Sequence, residues 1–280
     1  MVDAAAVILW FAVTAYVVFG GAAFGAGFWA LLCPPGEKGD RPRRLIRHAV
    51  GPVWEASHVW LVLSLAVLWT AFPEASEDLW STMVVPLSLA LVAIVLRVVA
   101  YVLGGVGSSP AITRAWSRVW SVTSVVTPFL LGAVLGGVAS GRVPTTDGAG
   151  TSLESWLNPT SVVAGLLAVA LAAFGGAIRL ASEASRYDDV RLEHFLRHRA
   201  VAAAAAAGTL AVAGLFVLGV DAPYMRHGLT HEGAPLVVAS ILFGVAAVLT
   251  LRLGAGRRTR VLTATAIALV VWAWGLAQYP

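Results

Sequence analysis

The segment 52–61, with the sequence PVWEASHVWL, combines a carboxylate, an imidazole and two indoles near the start of an apolar run, Ala49–Phe72. That run is long enough to cross a bilayer. Glu55 and His58 are three residues apart, so they share one face of a helix. Ionisable side chains are costly to bury in a membrane, and they usually have a partner and a function there. The segment therefore predicts a polar site within a membrane.

Arg97 is the candidate partner of Glu55. Glu55 lies six residues into its apolar run, roughly 9 Å deep, whereas Arg97 lies seven residues before the end of the run Leu79–Gly104, roughly 10 Å deep. When two opposite charges lie at matched depth on consecutive antiparallel helices, an ion pair between them lowers the free-energy cost of burying both. Two interpretations stay open. The pair is either a structural clamp between two helices or, with Trp54 beside the acid, a site that handles protons or a quinone headgroup.

The histidines are candidates for proton relays and for metal ligands. His58 lies one turn deeper than Glu55, where it could pass a proton onward, but haem ligation would require a second buried ligand at matching depth. His194 and His198 are four residues apart, as are His227 and His231. Neither pair has a convincing third ligand. The sequence therefore predicts no metal site in this chain.

Composition restricts the class of protein. The chain of 280 residues is 59% hydrophobic and 12% charged, whereas a soluble domain is about a quarter charged. Its basic residues follow a membrane pattern, so no nucleic-acid partner is expected. The single cysteine, Cys33, excludes an intrachain disulfide. The first apolar stretch lacks a preceding basic segment, so we expect it to be retained as a helix.

Eight membrane spans are predicted from the apolar runs, within one all-α membrane domain covering residues 1–280. The spans are Ala4–Leu32, Ala49–Phe72, Leu79–Gly104, Ala115–Gly136, Ser161–Ala181, Ala200–Val220, Gly233–Leu253 and Thr259–Gln278. The connections are too short to hold a soluble catalytic domain. Any chemistry must therefore lie in the helices or in a partner.

The orientation of the spans follows from charge. Sixteen of the 19 Lys and Arg residues lie in loops of one parity, which predicts that both termini face outward. The tetrapeptide FGGA occurs at 19–22 and again at 174–177. Together with the span count, it suggests a parallel repeat of two four-helix bundles, residues 1–140 and 141–280.

Small residues in the first span predict close helix packing. They are Gly20, Gly21, Gly25 and Gly27. Glycines at such spacing let the backbones of two membrane helices approach one another. We expect them to bring the first helix close to a neighbour, and we expect association with other subunits to use a helix face within the lipid bilayer.

The chain resembles subunit II of the cytochrome bd-type quinol oxidase family, most strongly in its first hundred residues. The motifs that carry the resemblance are GAAFGAG at 21–27, RRLIR at 43–47, GPVWEASHVWL at 51–61, Arg97, and WGLAQYP at 274–280. The helix-one acids of the family are replaced here by Gly20 and Ala23. A proton route through those carboxylates is therefore not expected in this chain.

The resemblance implies a heteromeric terminal oxidase in the bacterial cytoplasmic membrane. A partner, subunit I, would hold haems b and d, oxidise quinol and reduce oxygen to water. This chain would bind no haem and would scaffold that partner. The resemblance also implies a role in proton supply from the cytoplasm for Glu55, with Trp54 beside it and Arg97 as the helix-three arginine. Small single-helix subunits and a structural quinone stay open as further components.

Two other interpretations belong to different classes. One is an ion-coupled secondary transporter that uses the Glu55–Arg97 pair at its binding site. Such transporters usually have helices interrupted near the midplane, and the prolines of this sequence lie nearer the span ends. The other is an assembly subunit with no part in proton transfer.

Overall fold

All regular secondary structure in the described residues is α-helical. The computed structural model describes residues 2–34, 37–104, 109–144 and 153–279, but not the side chains of 37, 38, 40, 50–55 and 110. The helices are α1 (Val2–Leu31), α2 (Glu37–Ala71), α3 (Pro73–Thr82), α4 (Val84–Leu103), α5 (Pro110–Ala139), α6 (Pro159–Arg186), α7 (Val190–Asp221), α8 (Pro223–Thr230), α9 (Ala234–Leu251) and α10 (Arg257–Leu276).

The number of membrane spans is seven or eight within the described ranges. Seven helices are long and apolar enough to cross a bilayer, and an eighth span is counted when the bent pair Ala56–Ala71 and Pro73–Thr82 is taken as one. The two parts of this pair are bent by 115°. Pro73 begins the second part, where its missing N–H and rigid ring favour a new helix start. The all-helical, multi-pass architecture predicted from the sequence is confirmed.

Two predicted boundaries were wrong. The third span does not begin at Leu79, because a break at Met83 separates the short helix α3 from α4. The helix of the sixth predicted span does not begin at Ala200, because α7 begins earlier, at Val190, and continues to Asp221. Asp189 caps that helix and accepts a hydrogen bond from the Leu192 amide at 3.2 Å. Hydropathy did not detect either feature, because polar helix ends resemble loops.

Helices α1 and α6 form the centre of the molecule. Helix α1 packs against α2, α5, α6 and α10, while α6 also packs against α5 and α7. At the crossing of α1 and α6, a Cβ added to Gly25 would lie 1.8 Å from the Ala172 carbonyl oxygen. A Cβ on Gly176 would lie 2.4 Å from the backbone of Gly25. Glycine is therefore required on both helices at this contact.

The first and last helices are neighbours. The indoles of Trp10 and Trp274 stack with centroids 5.3 Å apart, and the Trp10 Nε1 donates to the Val271 carbonyl at 3.1 Å. At the chain ends, the Tyr279 hydroxyl donates to Asp3 at 2.9 Å. Both ends of the described chain therefore lie on the same side of the helix bundle.

Candidate functional site

The guanidinium of Arg97 is the most deeply buried charge in the described part of the chain, with 6% of the residue exposed. It extends from α4 into the space between α1 and α5. One nitrogen, Nη2, donates to the Ala23 carbonyl at 2.9 Å, and Nη1 donates to the Ser124 hydroxyl. Arg97 thus connects three helices through two charge-assisted hydrogen bonds.

Aromatic rings cover the faces of the same guanidinium. Its Cζ lies 4.5 Å from the ring centroid of Phe24 and 5.0 Å from that of Trp120. A cation this close to a ring centroid is attracted by the ring quadrupole, most strongly where water is excluded. We call the group formed by Ala23, Phe24, Arg97, Trp120 and Ser124 the Arg97 cage.

Small side chains allow the Arg97 cage to form. On α4 the buried neighbours of Arg97 at helical spacing are Ala93 and Ala100, which let α4 approach its partners closely. On α1 a Cβ at Gly27 would lie 2.0 Å from the Ser124 Oγ. A larger residue than glycine at position 27 would therefore displace the hydroxyl that binds Arg97.

Ser124 is the polar contact that the sequence analysis missed. Its hydroxyl donates to the Trp120 carbonyl, one turn earlier on α5, at 2.5 Å, which leaves its lone pairs for Arg97. Serine and threonine in membrane helices commonly form this bond to their own helix. The sequence shows four hydroxyl side chains close together on α5, but only the structure shows that all four are buried: Ser121, Thr123, Ser124 and Thr127. A buried polar stripe on an apolar helix indicates a polar partner on the facing helix.

The structure describes less of the other predicted site residues, Trp54, Glu55 and His58. The side chains of Trp54 and Glu55 lie outside the described residues, so the Glu55–Arg97 ion pair stays a prediction. His58 is half-buried on α2, which packs against α1. The structure therefore brings Arg97 together with α1 and α5, and it places His58 on a helix that contacts α1.

The four glycines of α1 differ in their surroundings. A Cβ at Gly20 would meet only the rings of its own helix, at 3.4 Å or more, and one at Gly21 would lie 3.9 Å from Ala172. The close approaches belong to Gly25, which faces α6, and Gly27, which faces α5. These two glycines pack helices within the chain, so they are not free to receive a helix of another subunit.

A second polar cluster joins the ends of three helices. Arg142, after α5, binds both carboxylate oxygens of Asp221 at 2.7 and 3.1 Å. Thr160, at the start of α6, donates its hydroxyl to the same carboxylate at 2.6 Å. These bonds raise the pKa of Arg142 above its usual range. Sequence reasoning missed the cluster, although Arg142 is one of the three basic residues outside the loops that carry the other sixteen.

The two histidine pairs of the sequence lie on surfaces of the described helices. No group of three or more His, Cys, Asp or Glu residues is placed within the described ranges so that it could hold a metal ion. The rings of His194 and His198 lie 4.5 Å apart, and those of His227 and His231 lie 3.9 Å apart. Each pair is on a helix surface, where water can solvate it.

Comparison with known proteins assigns the chain to a family. The family model described as "Cytochrome bd terminal oxidase subunit II" matches residues 1–280. A curated protein of Bacillus subtilis (strain 168), named "Putative cytochrome bd menaquinol oxidase subunit II", is 29% identical over 90 residues. That alignment covers 32% of this chain and 26% of the relative, so it spans about a quarter of the relative's length.

A solved structure shares the fold. The structure of bd oxidase from Geobacillus thermodenitrificans contains a chain that matches with a TM-score of 0.83 at 23% identity. The match covers 100% of this chain and 84% of that chain. The arrangement of helices described above is therefore one that an oxidase structure also contains.

Proposed function

The chain belongs to the cytochrome bd terminal oxidase subunit II family, and from this premise we propose that it is the non-haem subunit of a quinol:oxygen oxidoreductase. It is a multi-pass protein of the bacterial membrane. In the proposed complex it scaffolds a haem-bearing subunit I, which oxidises quinol and reduces oxygen to water. The observation that carries the proposal is the match of one family model to all 280 residues. Family membership disfavours the transporter interpretation.

Haems b and d of subunit I would supply the redox chemistry of the complex. The role that we propose for this chain is to present its helices to subunit I in a fixed arrangement. The Arg97 cage supports this part, because one guanidinium binds the backbone of α1 and a side chain of α5 from a position on α4. A charge kept inside a membrane protein at such cost usually fixes a geometry or serves a reaction.

The cavities of this chain bear on whether it holds a structural quinone. An apolar cavity of about 460 Å³ lies between helices, and two of its lining residues, Thr160 and Ser240, carry hydroxyl groups. Thr160 donates to Asp221, and Ser240 donates to the Ala266 carbonyl at 3.0 Å. Both hydroxyl protons are therefore already donated within the chain, whereas a quinone carbonyl accepts hydrogen bonds and needs a donor. We therefore assign no step in this chain to a quinone.

The arrangement of the chain in the membrane is also proposed. We place both termini outside, on the charge asymmetry of the loops, and the Tyr279–Asp3 contact supports a common side. The parallel repeat of the halves 1–140 and 141–280 is supported by a repeated packing pattern. Helices α1, α2, α4 and α5 pack in the pairs α1–α2, α4–α5 and α1–α5, and the pairs α6–α7, α9–α10 and α6–α10 repeat this pattern.

We further propose that Glu55 supplies protons toward subunit I, with His58 one turn deeper as the next group. Glu55→Gln keeps the shape of the side chain and abolishes its titration. In the purified complex with full haem content, we expect slower quinol-dependent oxygen consumption for this variant. The control is Glu74→Gln, the same change at an exposed acid on α3, which should leave the rate unchanged.

The outcomes of this experiment separate three roles of Glu55. Slower turnover with normal assembly supports proton supply. Loss of assembly in Glu55→Ala and in Arg97→Ala, in a non-additive way, supports a clamp, because each change leaves the other charge unpaired. Normal turnover and assembly in both Glu55 variants would remove Glu55 from the mechanism and leave a purely structural subunit.

A further inference from the structure

A groove between α1, α6 and α10 combines a basic end with an apolar interior. Its volume is about 320 Å³. Three arginines, Arg179, Arg257 and Arg260, line it together with aliphatic and aromatic side chains. We call it the arginine groove. It shares no residue with the Arg97 cage, and it lies on the side of the molecule that carries most of the basic residues.

Within the described residues, the three arginines carry more positive charge than the neighbouring carboxylates neutralise. Arg260 and Arg186 repel the Arg179 guanidinium, whereas Glu183, one turn further along α6, attracts it. Glu183 is shared with Arg186, at 3.7 Å. The Arg179 Nε is buried and has no hydrogen-bond partner among the described residues, and its Nη2 reaches the Ala49 carbonyl only at 3.5 Å. Buried donors of this kind require an acceptor.

The remainder of the groove is apolar. Val18, Phe19 and Ala22 of α1 face Val261, Ala264 and Ile267 of α10. From Arg257 to Ile267 the helix rises about 15 Å. This length is close to half of the hydrocarbon thickness of a bilayer, which is about 30 Å. The groove therefore spans one leaflet, with the charges at the level of the headgroups.

We propose that the arginine groove binds an anionic phospholipid. The phosphate is held by Arg179, Arg257 and Arg260, and an acyl chain lies along the apolar wall toward Ile267. Basic pockets between membrane helices bind lipid headgroups of this kind, and guanidinium groups match the geometry of phosphate oxygens. The bound lipid fills the space between the first and last helices.

A helix of another subunit matches the groove less well than a lipid does. The surface that such a helix presents within a membrane is apolar, so it would cover the apolar wall but leave the three arginines unpaired. A free phosphate ion would satisfy the arginines but would leave the apolar wall uncovered. A phospholipid pairs its phosphate with the arginines and covers the apolar wall with an acyl chain.

The test compares lipid binding to the purified, intact complex by native mass spectrometry. The probes are dioleoyl phosphatidylglycerol and dioleoyl phosphatidylcholine in detergent. The variant is Arg257→Gln with Arg260→Gln. The control is Arg252→Gln with Arg258→Gln, which removes the same charge from exposed residues outside the groove, at the ends of α9 and α10. We expect the variant to bind the anionic lipid about 25-fold more weakly, at about fivefold per arginine.

The control should stay within about twofold of the wild-type affinity. An equal loss in variant and control would refute the site, as would equal binding of the two lipids to the wild-type complex. If millimolar phosphate displaces the lipid and a short-chain phosphatidylglycerol binds equally well, the site is one for a free anion and the proposal fails.

A second variant addresses the apolar wall. Ala264→Phe fills the groove and keeps all arginines, so it should reduce bound phosphatidylglycerol while the complex assembles normally. If the complex with both arginine changes does not assemble, lipid binding to Ala264→Phe tests the proposed site instead. Unchanged lipid binding in Ala264→Phe would contradict the placement of the acyl chain.

Discussion

Replacing Ser124 by alanine tests the Arg97 cage with the removal of a single oxygen atom. The change leaves Arg97 in place but takes away the acceptor of its Nη1 donor. A hydrogen bond to a charged group contributes about 1.5–3 kcal/mol, and a buried donor left without an acceptor costs about as much. We therefore expect the complex to lose about 1.5–3 kcal/mol of stability.

The matched control is Ser121→Ala, one turn away on α5. Ser121 is also buried, and its hydroxyl donates to the Ser117 carbonyl at 2.9 Å, as that of Ser124 does to Trp120. Of these two serines, it is Ser124 that contacts Arg97. The control should therefore cost no more than about 1 kcal/mol, the net value of an ordinary hydrogen bond.

The assay is thermal unfolding of the purified complex, followed by tryptophan fluorescence. At about 2–4 °C per kcal/mol for a chain of this size, Ser124→Ala should lower the midpoint by about 3–12 °C. In an Arg97→Lys background the same change should cost much less, since lysine lacks the guanidinium fork and the two sites are coupled. Equal shifts for Ser121→Ala and Ser124→Ala would refute the role assigned to the cage.

Three further predictions concern packing, the second polar cluster and topology. Gly25→Ala should abolish assembly of the complex, because the added Cβ would lie 1.8 Å from a carbonyl oxygen of α6. The control, Gly244→Ala, should be neutral or slightly stabilising, because nothing lies within 4 Å of its Cβ. Size-exclusion chromatography of the complex measures both outcomes. Asp221→Asn should lower stability by about 1–3 kcal/mol through loss of its charge-assisted bonds, and the same thermal assay should show little change for Glu232→Gln, an exposed acid. Single cysteines in 34–47 and in 137–160 should react with impermeant maleimide from opposite sides of the membrane; labelling from the same side would contradict the proposed topology. The native cysteine should contribute little background, because burial raises the pKa of its thiol.

Several properties of this protein could be predicted from local sequence. The number and order of apolar runs predicted an all-helical, multi-pass protein, because a membrane span requires about twenty consecutive apolar residues. Arg97 was identified as a buried charge for the same reason. The motif around Glu55 indicated the family, which the family match confirms. The pairing of Glu55 with Arg97, the repeat and the orientation of the termini stay predictions.

The contacts between helices could not be predicted in this way. In water, the apolar side of a helix indicates which face is buried. In a membrane the lipid-facing side is equally apolar, so hydropathy does not reveal how a helix is rotated. The sequence therefore located Arg97 at its depth but did not indicate Ser124 and the Ala23 carbonyl as its partners.

Local sequence was enough to show where this chain can cross a membrane, that Arg97 lies within an apolar run and which family the chain resembles, because each of these depends on residues close together along the chain. The folded arrangement was needed to show which glycines are required for packing, how Asp221 joins three helix ends, and that three arginines from α6 and α10 share one groove. Those features depend on the rotation and register of helices far apart in sequence, which are set by the close packing of the whole bundle.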